Sequence, residues 1–378
     1  MGGTETPQDQ PSSVLPGRVE PLQLRHVYFF DAPAVCRNSG IVSGGLRTIK
    51  TGRTGFGVIR EFTRQFKCHF IFTGSYLGRV LAPEFRFSSG DVTSITIYTL
   101  SFEEFLQAAD SDLFTTYMNL DYLDNVEAEI HDRLKGYYDI YCQIGGYPAV
   151  VEDYLEKGSL KSCRAQLDKI INIFLNESLR YFTDINDISV FTSIFLSICR
   201  ILTREKKGLE EGSISEELQK LVVKDYSSNI TKATCYRAIN WLYHSGIIGF
   251  CGKIVEMDIL DFKPGCRCYF MDLGIANYYL SRVGATDATL AGTLHENYVY
   301  INLKKRQDFP EEVIFETPAF ATYKNGEIDF IVQGISSKER YALEVKAGKS
   351  AGNTAKKALA DGKVKYLLYL NMYIPFPA

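Results

Sequence analysis

Residues 313–347 read VIFETPAFATYKNGEIDFIVQGISSKERYALEVKA, and this stretch predicts three strands, at 313–322, 327–333 and 341–347. Lys324-Asn325-Gly326 separates the first two, and Asn-Gly is the strongest short hairpin signal. Strand alternation puts Asp329 on one face with Glu327 and Ile331. On the next strand Glu344 and Lys346 share a face, while Leu343 and Val345 share the other. A hairpin and its neighbouring strand can therefore bring Asp329, Glu344 and Lys346 together. Asp329 and Glu344, with a strand carbonyl, form a hard-oxygen set that suits Mg²⁺. A lysine beside them can orient or deprotonate an attacking water and steady a developing phosphate charge. The competing reading is that these charges only solvate the edge of a sheet.

Upstream, Gly292-Thr-Leu-His-Glu296 places a further carboxylate in the first turn of a helix predicted at 293–305. His295-Glu296 begins like the zinc-protease HExxH string, but Val299 stands at the second histidine position, so that reading fails. A strand is predicted at 266–272. Before it come helices at 215–223 and 231–245 and a strand from residue 247. Helix, turn, helix, strand is the order of a winged helix-turn-helix. Lys232 and Arg237 would face phosphates, with Ile239, Trp241 and Leu242 as the core face. The same segment could pack two domains together, and the near-neutral chain favours that role over DNA binding.

The middle of the chain predicts helices at 163–183, where Ile170, Ile171, Phe174, Leu175 and Leu179 recur near the helical period, and at 188–203, which is apolar nearly all round. Gly145-Gly-Tyr-Pro148 opens another helix. Ser101 with Glu104 three residues on is a capping box. Nearer the N-terminus, short buried strands are predicted at 26–31 and 69–75 and a third at 92–98. The stretch 39–57 is a glycine-rich basic loop, with a short helix at 58–67.

The composition bounds the function. The chain has 378 residues, 46% hydrophobic and 23% charged, enough for two or three domains with cores. Lys+Arg 42 against Asp+Glu 45 gives a net charge of −3, which argues against a strongly basic nucleic-acid binder. No apolar run is long enough to span a membrane, and the polar first residues are not a secretory leader. The nine cysteines are read as reduced thiols of a cytoplasmic protein. Cys251, Cys266, Cys268 and His244 lack zinc-site spacing and are read as ordinary packing residues.

Asp329 followed by Glu344-Val-Lys346, with a helical Glu296 before them, resembles the PD-(D/E)xK restriction-endonuclease-like superfamily. A wider resemblance covers about residues 68–350. Phe72-Thr-Gly-Ser-Tyr-Leu-Gly78, Leu100-Ser-Phe-Glu-Glu-Phe105, Gly145-Gly-Tyr-Pro148, Tyr269-Phe-Met-Asp-Leu-Gly274, His295-Glu-Asn297 and Gly326-Glu-Ile-Asp-Phe330 recur in this order in a prokaryotic family. That family joins an AAA-type P-loop ATPase to a C-terminal domain of unknown function with an endonuclease-like core. The resemblance implies catalytic roles for Glu296, Asp329, Glu344 and Lys346, with Asp329 and Glu344 as metal ligands.

The departures from that family concern the nucleotide site. No GxxxxGK[ST] string, the loop that cradles phosphates, occurs in the chain. Val27-Tyr-Phe-Phe-Asp31 looks like the Walker B strand, with Asp31 holding Mg²⁺ through water. The next residue, Ala32, stands where a catalytic Glu is expected and cannot polarise water. Thr73 and Ser75 stand at the position of a sensor residue. ATP enters as a cofactor only through the resemblance, and the ATPase module reads as truncated or rearranged and inactive in hydrolysis.

The expected fold is therefore α/β and modular. A disordered tail at 1–21 precedes a remnant of a P-loop parallel-sheet domain at 22–108. A helical region with a winged helix follows at 109–261, and a restriction-endonuclease-like α/β domain at 262–378. The expected function is an AAA-family protein with a defective nucleotide site and a C-terminal domain that binds or cleaves nucleic-acid phosphodiesters with Mg²⁺. The alternative is a non-catalytic module for DNA or protein interaction. DNA, a protein partner or a second copy are the expected partners, and a membrane is not.

Overall fold

In a computed structural model, the structure describes residues 27–28, 70–71, 97–120, 126–181, 188–204, 214–225, 231–306, 317–334, 337–346 and 352–371. The chain divides into two units, one of residues 1–76 with 82–95 and one of residues 77–81 with 96–378. In the first unit, β1 (Val27–Tyr28) pairs in parallel with β2 (Phe70–Ile71), Val27 opposite Phe70 and Tyr28 opposite Ile71. Both lie where apolar runs predicted buried strands. Residues 92–96 of the third expected strand lie outside the described residues, and Ile97 and Tyr98 are not in a strand. The loop at 39–57 and the helix at 58–67 also lie outside them.

The second unit is mixed α/β. Among the described residues it holds eleven α-helices and a six-stranded mixed sheet. The helices α1 (Phe102–Ala109), α2 (Ser111–Met118), α3 (Ala128–Ile144), α4 (Pro148–Lys157), α5 (Leu160–Tyr181) and α6 (Ser189–Leu202) come first. The capping box forms: the Ser101 hydroxyl accepts from the Glu104 amide, and Glu104 Oε2 accepts from the Ser101 amide at 2.7 Å. Pro148 takes the first turn of α4, where its missing N–H costs nothing. Helix α6 is buried on nearly every side, as its apolar sequence requires.

Next come α7 (Ile214–Asp225), α8 (Lys232–His244), β3 (Ile248–Ile254) and β4 (Phe262–Phe270), a helix-helix-hairpin run. Strand β4 ends earlier than its apolar sequence suggests because Asp272 caps α9 (Leu273–Leu280), its carboxylate accepting from the Ile275 amide at 3.2 Å. Helix α10 (Asp287–Arg306) starts well before the expected residue 293. The Thr286 hydroxyl accepts from the Thr289 amide and begins the helix there. Glu296 thus sits in the third turn and not the first.

The sheet order is β4-β3-β5-β6-β7-β8, with β5 (Ala319–Tyr323), β6 (Gly326–Gln333), β7 (Arg340–Lys346) and β8 (Tyr366–Asn371). Strand β3 pairs antiparallel with β4 and parallel with β5, so the sheet takes strands from both sides of residues 261–262. The three expected closing strands are joined by two elements that the pattern did not suggest. Helix α11 (Asn353–Ala360) crosses over and returns the chain as β8, parallel to β7. The helices α1–α10 share one core with Phe320, Phe330 and Leu343 from the sheet. Ala319, Ala321, Ile328, Ile331 and Ala342 form the second core with Ala355 and Ala358 of α11. The sheet is therefore covered on both faces, and β7 lies inside it with a neighbour on each side.

Candidate functional site

The β5–β6 hairpin sets the site. Tyr323 pairs with Gly326 across a two-residue turn whose central residues are Lys324 (φ 46°) and Asn325 (φ 63°). Positive φ at both positions matches the right-handed twist of the strands, the reason such turns dominate short hairpins. The turn thus uses Lys-Asn as its corner and Gly326 as the first strand residue.

Two residues of β6, Asp329 and Phe330, stand opposite the single Phe320 of β5, because Ala321 pairs with Ile328 and Ala319 with Ile331. This bulge breaks the strict alternation assumed from sequence. Ile328 and Ile331, three apart, enter the same core, and Phe330 enters the other. Bulges re-aim a side chain and stop regular pairing. Here Asp329 Oδ2 accepts from the backbone amide of Val345 at 2.8 Å. The carboxylate of Asp329 is thereby held against β7 between Glu344 and Lys346.

Glu344 is buried, with 1% of its surface exposed. Gly352, the N-cap of α11, lies against its carboxylate: a Cβ there would fall 2.5 Å from Oε2. Only glycine leaves room for that approach. The positive end of a helix also lowers the cost of keeping a carboxylate out of water. Lys346 ends β7, its backbone opposite Asn371. Its side chain lies outside the described residues.

Glu296 reaches the sheet from α10 and is also buried. The Tyr269 hydroxyl donates to its Oε1 at 2.6 Å, and Arg267 Nη1 lies 3.7 Å from the same oxygen. Arg267, 1% exposed, also pairs with Glu327 and stacks 3.7 Å from the centroid of the Phe320 ring. Burial opposes the charge of Arg267, but Tyr269, Glu327 and Glu296 outweigh it and hold the guanidinium firmly protonated. Burial, then Glu296, pushes the Tyr269 phenol up. A buried arginine between two carboxylates is the part of this region that sequence reasoning missed. Its signal was a charged residue inside the apolar strand run Cys266-Arg-Cys-Tyr-Phe270.

The neighbours of Glu296 make structural ties. His295 Nδ1 meets the Tyr138 hydroxyl at 2.7 Å, and burial pushes the imidazole down to about 4. The Asn297 side chain accepts from the Phe270 amide at 3.0 Å and donates to the Phe270 carbonyl at 2.8 Å. It satisfies both backbone groups of Phe270, the last residue of β4.

Asp329 and Glu344 stand on the adjacent strands β6 and β7, and carboxylates are the donor type that Mg²⁺ commonly takes, one or two at a time, beside several waters. Among the described residues no group of three or more His, Cys, Asp or Glu side chains is placed to hold a metal ion. Cys251, Cys266 and Cys268 are buried free thiols, and burial pushes Cys251 up to about 12. Asp31, Thr73 and Ser75 lie outside the described residues.

On α8, Thr231 caps the helix by accepting from the Thr234 amide at 3.1 Å. Ile239, Trp241 and Leu242 are buried, while Lys232, Tyr236 and Arg237 are exposed. No described helix is long and apolar enough to cross a membrane.

Residues 135–287 match the family described as a domain of unknown function, DUF8612. The matched segment runs from within α3 to the start of α10. It contains the helix-helix-hairpin run and ends before Glu296, Asp329, Glu344 and Lys346. No curated protein and no solved structure matches the chain.

Proposed function

We propose that this chain is a relative of the AAA-type P-loop ATPases with a restriction-endonuclease-like C-terminal domain, that its nucleotide site is defective, and that the C-terminal domain engages nucleic-acid phosphodiesters with Mg²⁺. The observation that carries this reading is the hydrogen bond from the Val345 amide to Asp329, which brings that carboxylate to the Glu344-Val-Lys346 strand. The bulge at Asp329 and the parallel pairing of β1 with β2 accord with it. Asp329 and Glu344 would hold the ion, which supplies Lewis-acid polarisation of a phosphoryl oxygen when bound. Lys346 would help activate water, and Glu296, which stands beside Arg267 and Tyr269 on the α10 face of the sheet while Glu344 meets α11 on the other, would act on the site only indirectly.

Calorimetry with Mg²⁺ and with Mn²⁺ tests this on the wild type and on Asp329→Ala with Glu344→Ala. Binding in the wild type that the double variant loses supports the site and makes a cleavage screen worthwhile. Absence of binding in both removes the metal-dependent reading.

A second reading is favoured by one observation, the exposed Lys232, Tyr236 and Arg237 on α8. An exposed aromatic between two cations suits a backbone-contacting helix of a non-catalytic nucleic-acid module. Binding to duplex DNA that weakens with salt and with Lys232→Ala and Arg237→Ala, but is unmoved by Asp329→Ala, would favour it.

A further inference from the structure

A cavity of about 280 Å³ lies where the C-terminal end of α3, the first turns of α5 and helix α9 meet. Its floor is apolar and buried, formed by Ile144, Cys163, Leu167 and the ring of Tyr278. Its rim is cationic, with Lys161 and Arg164 three positions apart on α5 and so neighbours on one helix face. Beside them, Arg282 stacks on the Tyr278 ring at 3.9 Å from its centroid, with Arg164 over the same ring at 5.2 Å.

The charges at this cavity are unbalanced. Among the described residues, none of Lys161, Arg164 and Arg282 has a carboxylate partner. Asp168, the nearby acid, accepts the Tyr278 hydroxyl and the Asn172 amide. Lys161 stands in the first turn of α5, which carries no acidic residue. Cations are disfavoured at the positive end of a helix, by about 0.3–1 kcal/mol each. An anion in the cavity would offset both that cost and the mutual repulsion of the cations on its rim.

We propose that this cavity binds a small organic anion, its carboxylate or phosphate head held by Lys161 and Arg164 and its apolar body lying on Ile144, Leu167 and Tyr278. The volume sits just below the range of about 300–1,000 Å³ typical of pockets for larger ligands, so the ligand is compact. None of these residues belongs to the Asp329–Glu344 site, and neither site's failure bears on the other.

Calorimetry on the full chain tests it, with phenyl phosphate and benzoate as probes, and inorganic phosphate and benzyl alcohol as controls that lack the body or the charge. The variants are Lys161→Ala with Arg164→Ala, both exposed and so without effect on folding, and the charge-keeping Lys161→Arg. The expected result is saturable binding of one or both probes, which the double variant weakens by about tenfold or more. Lys161→Arg keeps most of the affinity, inorganic phosphate binds less tightly than phenyl phosphate, and the uncharged benzyl alcohol binds less tightly than benzoate. Whichever probe binds more tightly identifies the head group. No binding of either probe, equal binding by the double variant, or inorganic phosphate matching phenyl phosphate overturns the proposal.

Discussion

The Asp272 carboxylate accepts a hydrogen bond from the backbone amide of Gly146 at 2.9 Å, across 126 positions of sequence. The same side chain caps α9. Two of the sequence motifs, Gly145-Gly-Tyr-Pro148 and Asp272-Leu-Gly274, are therefore halves of one joint. The joint has no spare space: a Cβ on Gly146 would lie 2.0 Å from the Leu100 carbonyl oxygen, and one on Gly274 would lie 2.3 Å from that of Ile144. The Leu100 amide returns a bond to the Gly146 carbonyl at 2.8 Å, and the Tyr141 hydroxyl donates to the Leu100 carbonyl at 2.7 Å.

Gly146→Ala is expected to destabilise the second unit by about 3 kcal/mol or more, because the atom it would displace belongs to hydrogen-bonded backbone. Gly136→Ala, on the open surface of α3, meets nothing within 4 Å and serves as the control. It should be neutral or mildly stabilising, since alanine is the better helix former. Urea midpoints of the two variants compare them directly.

His295 makes stability depend on pH. Its imidazole is pushed by burial from 6.5 down to about 4. Between these values the unfolded chain binds a proton that the native state refuses, so this contribution is fully present above 6.5 and is lost as pH falls towards 4. The full loss amounts to about 3 kcal/mol. His295→Gln, which keeps a hydrogen-bonding partner for Tyr138, should flatten this part of the denaturant-midpoint profile. An unchanged slope would assign the acid sensitivity to other groups.

Asn297 replaces a missing strand at the end of β4. Asn297→Leu leaves the Phe270 amide and carbonyl buried without partners, at about 1–3 kcal/mol each. Asn297→Asp keeps the acceptor for the amide and should cost less than Asn297→Leu unless charge burial dominates. That outcome would show as recovery of Asn297→Asp at acid pH. Thermal melts across pH separate the cases.

ATP turnover is expected to be at background, since Ala32 follows Asp31 and no phosphate-cradling loop is present in the sequence. Phosphate release from purified protein, measured beside Asp31→Ala, checks this. Turnover above background that the variant abolishes would contradict it.

Much of the local structure was legible. The Ser101 and Glu104 box, the Pro148 helix start, the apolar α6 and the hairpin at Lys324–Gly326 each rest on interactions within a few residues, and each formed, the hairpin with Lys324-Asn325 and not Asn325-Gly326 at its corner. Of the candidate site, the adjacency of the Asp329 and Glu344 strands was legible from their spacing and the turn. The bulge at Asp329 was not, because its cause is the register demanded by β5 and the cores above and below the sheet. Helix α11 and β8 were missed for a related reason. Tyr366-Leu-Leu-Tyr-Leu-Asn371 becomes a strand by pairing with β7, and the crossover that carries it there is short and locally unremarked.

The sequence by itself determined the elements whose stabilising contacts are local: caps, turns and the apolar periods of the helices. It also determined that carboxylates and a lysine fall on neighbouring strands. Only the tertiary structure decided that β3 joins β5 across the expected boundary, that Arg267 is buried between Glu296 and Glu327, and that Asp272 closes on Gly146. Those pairings bring together residues far apart in the chain, and their energy comes from burial and long-range hydrogen bonding, which no short window of sequence contains.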